Sequence, residues 1–157
     1  MSLFKGEYIF TPKIVGFSDG SLAAAGQVGE VIQSLVAVGS PVSLTTATPA
    51  NVTSVALTAG DWDVEGNVNF TAASATTAAG ALWVAGINST SATLPTDGSE
   101  VQEQAVALTT TTFKSGIGTP PKPIRIAAAT TIYLVAEATF TAGTVGAYGV
   151  LTARRVR

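Results

Sequence analysis

The chain has 157 residues, the size of a single domain, and carries a formal net charge of −2 with no cysteine and no histidine. Charged residues make up only 11% of it, which excludes binding of nucleic acid or an anionic membrane through a surplus of basic charge. The absence of cysteine and histidine excludes disulfides, Cys/His zinc sites and Ser-His-Asp triads, whereas 46% hydrophobic residues predict that some apolar surface is buried between subunits.

The first 28 residues differ from the rest of the chain. Phe4, Tyr8, Phe10 and Phe17 lie here, alternation of apolar and polar residues is weak, and the segment ends in small residues. Aromatic side chains supply much of the binding energy at interfaces. We therefore predict that residues 1–28 form an anchoring arm with these four aromatics as its contacts, the alternative being one or two additional strands.

Strand signals dominate from residue 29 onward. Runs rich in Val, Ile, Thr and aromatics are separated by clusters of Gly, Pro, Asn and Asp, and no run shows a helical period. This pattern predicts an all-β domain over residues 29–157, a sandwich without helices. The predicted strands are 30–38, 42–46, 51–57, 62–70, 81–87, 101–108, 122–127, 131–140 and 146–154. Residues 71–80 are predicted to be a loop, and residues 116–119 a turn.

The strand predicted at 62–70 alternates strictly. Trp62, Val64, Val68 and Phe70 fall on one face, while acidic and amide side chains fall on the other. Gly66 occupies an apolar position, where a bulge or close packing would fit. The apolar face is predicted to be core and the polar face to be solvated.

The acids of that polar face leave two further interpretations open. Asp61, Asp63 and Glu65 could hold a calcium ion, or act as a carboxylate pair in glycoside hydrolysis. Their spacing also occurs on any acidic strand face, so the solvated face is preferred. The sequence therefore predicts no catalytic residues, no metal site and no cofactor.

The strand predicted at 131–140 has a second face that is only half polar, with Tyr133 and Val135 beside Glu137 and Thr139. Such a face is typical of a surface that contacts another subunit. The tract 126–153 carries Glu137 as its sole charge, but its glycines and its period of two argue against a membrane-spanning helix. At residues 154–157, three arginines around a valine predict either a solvated end or a grip on an acidic partner.

Two segments carry a resemblance to a known group of proteins. Residues 26–32, GQVGEVI, and residues 42–64, VSLTTATPANVTSVALTAGDWDV, resemble segments that recur in tailed-bacteriophage virion surface proteins: capsid decoration proteins, head fibres and the ends of tail fibres. The similarity extends over about residues 26–157 and is greatest from residue 42 to residue 70.

The resemblance implies a trimeric jelly-roll sandwich, similar to the C1q and tumour-necrosis-factor fold, without enzymatic activity. It implies a cement protein on the outside of a phage head, a homotrimer bound to the major capsid protein through the arm. Tyr133, Val135, Tyr148 and Val150 would form the trimer interface. The alternative is a receptor-binding module of a tail fibre, with loops 72–79 and 87–98 touching a host-surface glycan. A polysaccharide-cleaving enzyme using the Asp61 face is the third and least favoured hypothesis.

Overall fold

A computed structural model describes residues 20–72, 79–104 and 114–157, which form ten strands and no helix. The chain is all-β, as the sequence predicted. The strands are β1 (Val31–Val36), β2 (Val42–Leu44), β3 (Ala50–Leu57), β4 (Gly60–Ala72), β5 (Ala79–Asn88), β6 (Val101–Gln104), β7 (Lys114–Gly118), β8 (Lys122–Ile126), β9 (Thr130–Ala142) and β10 (Val145–Arg155).

The strands form two antiparallel sheets that pack as a sandwich. The six-stranded sheet runs β1-β10-β4-β7, with β2 also paired to β10 and β8 to β4. The four-stranded sheet runs β3-β9-β5-β6. Six of the nine connections between the described strands cross from one sheet to the other, and the β1–β2, β5–β6 and β7–β8 connections stay within one sheet, as strands of a jelly roll can do. The predicted sandwich is confirmed.

The core lies between the sheets and is built from the alternation seen in the sequence. Trp62, Val64, Val68 and Phe70 are fully buried. The ring of Phe70 stacks on that of Trp83 from the opposite sheet, with 5.0 Å between centroids and 17° between planes. Large side chains from β4 and β5 therefore fix the separation of the sheets.

Gly66 allows close packing rather than a bulge. The β4–β10 register continues without a shift from Trp62 to Ala72. A Cβ on Gly66 would lie 2.7 Å from Leu134 Cδ1 of the facing sheet. On the other edge of β4, Thr119 takes the place of a strand partner: its Oγ1 accepts from the Gly66 N–H at 2.9 Å and its own N–H donates to the Gly66 carbonyl at 2.8 Å.

Strand β7 corrects the turn predicted at residues 116–119. Ile117 pairs with Val68 and is buried. A Cβ on Gly116 would lie 2.8 Å from Asn69 Oδ1. Glycine therefore fits beside Asn69 better than a residue with a Cβ. With glycine on both sides of Ile117, the strand has one inward apolar residue and no alternation of apolar and polar side chains. Its sequence is for that reason typical of a turn.

Other boundaries moved as well. Strands β4 and β5 extend to Ala72 and from Ala79, so both ends of the loop predicted at 71–80 belong to strands; residues 73–78 lie outside the described residues. Of the strand predicted at 101–108, Val101–Gln104 is described as β6.

The proposed division into an arm and a sandwich stays a prediction. Residues 25–29 form turns, in which the Gln27 N–H donates to Ala24 C=O at 3.0 Å. The Gly29 N–H donates to Arg155 C=O at 2.9 Å and so ties this segment to β10. The four aromatic anchors, Phe4, Tyr8, Phe10 and Phe17, lie outside the described residues.

Candidate interaction surfaces

Exposed large apolar side chains gather at the end of the predicted arm and along the strand that follows it. Of the six such side chains among the described residues, five lie between residues 22 and 38. Leu22 is 78% and Leu35 69% exposed. The sixth, Val156, follows Arg155, whose carbonyl accepts from Gly29 at the start of the same region. The described part of the sandwich therefore presents its apolar surface mainly along β1 and the segment before it.

Two of the predicted trimer residues belong to the face that carries this surface. Cross-strand register places Leu35 opposite Val150, and Tyr148 two residues from it on the same side of β10. Tyr148 and Val150 are half-buried. Lys114 Nζ lies 5.6 Å from the centroid of the Tyr148 ring. Val31, Leu35, Tyr148 and Val150 thus form an apolar stripe on the outer face of the six-stranded sheet.

The other two predicted trimer residues lie on the opposite side of the molecule. Tyr133 and Val135 face outward from the four-stranded sheet, where Val135 pairs with Gly86. Tyr133 is half-buried and Val135 is 0% exposed. A Cβ on Gly86 would lie 2.5 Å from Pro95 Cδ, so the loop after β5 covers this part of the sheet. The apolar half of the face is thus explained within the chain.

If each subunit bound its neighbours through two opposite and parallel faces, the subunits would stack into a filament. A closed ring of three subunits needs two contact faces that are inclined to each other. The two residue pairs lie on opposite faces of the sandwich, and their assignment to a trimer interface stays a prediction. Since Val135 has no exposed surface to offer, the stripe with Tyr148 and Val150 is the better placed of the two.

The acidic row on β4 is only partly solvated. Arg125 Nε donates to Asp61 Oδ1 at 3.0 Å, and Arg157 Nη2 lies 2.8 Å from Asp61 Oδ2. Partial desolvation acts to raise the pKa of Asp61, but the bonds from Arg157 and Arg125 outweigh it and hold that pKa below its usual value. Asp61 therefore joins β4, β8 and residue 157, a structural role.

The remaining polar residues of this face line a shallow groove. Asp63 and Glu65 form its floor, Thr152 and Arg154 stand on the β10 side, and Pro121 stands on the other. Among the described residues, no group of three Asp, Glu, His or Cys side chains is arranged to hold a metal ion.

The arginines near residue 155 correct an expectation. Arg155 is 4% exposed, not solvated. Its Nε donates to Glu30 Oε2 at 3.0 Å, its Nη1 donates to the Ala59 carbonyl at 2.8 Å, and its Nη2 donates to the Thr58 hydroxyl. The guanidinium lies 4.2 Å from the Trp62 ring centroid, and Trp62 Nε1 donates to the Thr58 carbonyl at 2.9 Å. Arg155 is a buried structural cation.

Glu30 completes that cluster. Burial acts to raise the pKa of its carboxyl, but the Gly26 N–H, at 2.8 Å, and Arg155 more than offset burial and hold the pKa below its usual value. Sequence reasoning missed this pair because its members are 125 residues apart. The one available signal was a charged residue at the first position of the strand predicted at 30–38.

A third polar cluster fixes the loop that follows β5. Lys122 Nζ lies 3.0 Å from Asp97 Oδ2 and donates to the Ile87 carbonyl at 3.0 Å. The Ser99 hydroxyl and N–H, together with Lys122, hold the pKa of Asp97 far below its usual value. Beside this cluster lies an open groove of about 440 Å³ whose walls include Asn88, Asp97 and Ile124. It is the described feature closest to the loop 87–98 named in the receptor-binding alternative.

No helix within residues 20–72, 79–104 and 114–157 is long and apolar enough to cross a membrane. No protein-family model matches the chain, and no curated protein matches it.

Distant structural similarity connects the fold to solved capsid structures of infectious bursal disease virus. The Gx strain structure is 11% identical with a TM-score of 0.43, covering 92% of this chain and 37% of that one. The VP2 subviral particle is 13% identical with a TM-score of 0.44, covering 92% and 38%. The T=1 particle is 14% identical with a TM-score of 0.45, covering 92% and 36%. The chain spans little more than a third of the length of these structures, and likeness at this level does not extend to function.

Proposed function

We propose that the chain is a structural virion protein, a non-enzymatic decoration or cement protein that binds the outside of a phage head as a homotrimer. The observation that carries the proposal is the concentration of exposed apolar side chains in residues 22–38, which include the end of the predicted arm and strand β1. The resemblance of residues 26–32 and 42–64 to phage virion surface proteins names the partner, the major capsid protein.

The polar clusters are compatible with adhesion as the sole activity. Asp61, Glu30 and Asp97 are each engaged by an arginine or lysine in contacts that join strands or loops. Their charges are used for structure. Asp63 and Glu65 are exposed on an open face.

Three arms that bind one shell together would hold far more tightly than one. Linking binding sites raises avidity by a factor on the order of 10²–10⁴ when geometry permits simultaneous contact. A protein that binds the assembled shell and not its separated subunits stabilises the shell by mass action. This is how an arm that spans a joint between capsid subunits would oppose the pressure of packaged DNA.

The test is co-sedimentation with phage heads stripped of their decoration protein. Deleting residues 1–19 leaves every described contact in place, and replacing Phe4, Tyr8, Phe10 and Phe17 by Ser in the full chain is the matched point-mutant form. Both variants should fold normally and remain in the supernatant while the unaltered chain pellets with the heads. Undiminished binding by either variant would refute the arm as anchor.

The receptor-binding module of a tail fibre is the second candidate, favoured by the groove beside Asn88 and Asp97. Antibody labelling of virions separates the two functions. Label over the head supports the cement protein, and label confined to the tail tip supports the receptor-binding module. In the second case Asn88→Ala should weaken binding to host surface glycans.

A further inference from the structure

Strand β1 presents a free edge. In the described part of the chain it pairs only with β10. The Arg155 N–H donates to the Glu30 carbonyl at 2.9 Å, and backbone groups of an antiparallel strand point to alternate sides. Ile32, Ser34 and Val36 therefore direct their N–H and C=O groups at β10. Val31, Gln33 and Leu35 direct theirs away from the sheet.

The side chains along this edge offer no protection against pairing. The sequence VIQSLV contains no charge, proline or glycine, and Val31 and Leu35 are 41% and 69% exposed. A flat, uncharged, apolar edge is a template for strand addition, which natural proteins normally block.

The other sheet edges of the described residues are blocked in the usual ways. Strand β7 begins with Lys114, β8 carries Lys122, Pro123 and Arg125, and β6 carries Glu103. Strand β3 has a register irregularity between Asn51 and Thr53, and β2 is only 3 residues long. The exception at β1 therefore points to a use for that edge.

We propose that β1 binds the β1 strand of a second copy of this chain, antiparallel about a twofold axis through Gln33. In this register Gln33 lies opposite its own copy, and Val31 lies opposite Leu35 of the partner subunit. Within the described ranges the outward backbone groups of these residues have no strand partner, and all three side chains lie on the outer face. Each such residue pair exchanges two hydrogen bonds, and the six-stranded sheets of the two copies become continuous.

Self-complementarity is the reason for choosing a second copy as the occupant. The outward residues Val31, Gln33 and Leu35 have the same order, apolar–Gln–apolar, in both directions along the strand. When two copies of β1 pair antiparallel about Gln33, apolar side chains therefore lie opposite apolar ones and Gln33 lies opposite Gln33. Facing β1 in the sandwich, β3 contributes Thr53 Oγ1, 2.6 Å from Ser34 Oγ.

This contact shares the side chains of Val31 and Leu35 with the apolar stripe but does not rest on the proposed function or on the threefold contact. It uses the backbone edge of β1, whereas the proposed trimer would use sheet faces. Adjacent threefold points of an icosahedral shell are related by twofold axes, so the two contacts can coexist. Neighbouring trimers would then be joined to one another as well as to the shell.

The test uses the absence of cysteine from the chain. Gln33→Cys introduces a single thiol whose counterpart would lie about 5.5 Å away between Cα atoms, within the range for a disulfide. Leu35→Cys is the matched control, because its counterpart would lie about 13 Å away along the paired strands. Under mild oxidation, Q33C should form a covalent dimer on a non-reducing gel and L35C should not. A mixture of V31C and L35C should also cross-link.

Thermal unfolding of each reduced variant shows that it is folded before oxidation. The proposal is overturned if Q33C and L35C cross-link equally or if Q33C does not cross-link. Absence of cross-linking by Q33C is also the result expected if a strand of another protein occupies this edge. No capsid is needed, so failure here and failure of the proposed function are separate outcomes.

Discussion

The buried pair of Glu30 and Arg155 predicts a large and pH-dependent loss of stability when the carboxylate is removed. Their side chains are 10% and 5% exposed. Removing one partner of a buried ion pair costs about 3–5 kcal/mol, because the other charge stays buried without compensation. Arg155 keeps the Ala59 carbonyl, the Thr58 hydroxyl and the Trp62 ring, so Glu30→Ala should cost about 3 kcal/mol of unfolding free energy, at the lower end.

Glu30→Gln separates charge from hydrogen bonding. The amide oxygen can still accept from Gly26 and Arg155, so the loss is the difference between a charged and a neutral hydrogen bond, about 1–2 kcal/mol. Urea denaturation followed by tryptophan fluorescence measures both variants, since Trp62 and Trp83 are fully buried in the folded chain.

The pH dependence fixes the assignment to the carboxylate. The pKa of Glu30 is lower in the folded chain than in the unfolded chain, so its contribution is fully present above the unfolded pKa and is lost as pH falls through the folded one. The stability gap between the unaltered chain and E30Q should therefore shrink on acidification below about pH 4.3, the ordinary glutamate value. A gap that is constant from pH 7 to pH 3, or an E30A loss under about 1 kcal/mol, would refute the reasoning.

Three further substitutions test the packing and the surface charges. Gly149→Ala should destabilise the chain by more than about 3 kcal/mol, because the new Cβ would lie 1.9 Å from the Asn67 carbonyl oxygen. Gly118→Ala is the control: its Cβ would lie 4.0 Å from the nearest atom, so stability should change by less than about 1 kcal/mol in the same denaturation assay. Equal effects of the two substitutions would contradict the β4–β10 geometry. Trp62→Phe should cost about 1–3 kcal/mol more than Trp83→Phe, since Trp62 loses a hydrogen bond and its contact with the buried guanidinium, while Trp83 Nε1 has no hydrogen-bond partner among the described residues. Asp61→Asn should leave the calorimetric unfolding temperature almost unchanged, since both its arginine partners are largely exposed, and a clear drop would mean that these ion pairs do more than exposed surface pairs do.

The sequence specified the sandwich wherever a strand has one buried and one solvated face. The alternation from Trp62 to Phe70 predicted which side chains fill the core, and those residues are fully buried. Strand β7 was missed because Gly116 and Gly118 remove the alternation of apolar and polar residues from which strands are predicted. The close contact of Gly116 with Asn69 on β4, a strand distant in sequence, accounts for the glycine at that position.

The interaction surfaces were less predictable because they depend on which strands become edges. An apolar residue in an alternating strand looks the same whether a loop covers it, as happens beside Val135, or whether it stays open, as at Leu35. Likewise, Arg155 and Arg154 are neighbours in sequence, and only the fold decides that one is buried with Glu30 while the other is exposed.

The position of β10 governs how the chain reaches its native state. This strand pairs with β1, β2 and β4, and its bond from Gln33 Nε2 to Thr152 Oγ1 spans 119 positions. Chain segments of that length must be brought together before hydrogen bonds between β10 and its neighbours can stabilise the six-stranded sheet. All-β domains dominated by contacts between residues far apart in sequence fold in milliseconds to seconds rather than microseconds. Until residues 145–155 pair with them, β1 and β4 have no common neighbour strand, so partly folded chains expose unpaired backbone groups along both strands. The six-stranded sheet should therefore form late in folding and in a single cooperative step.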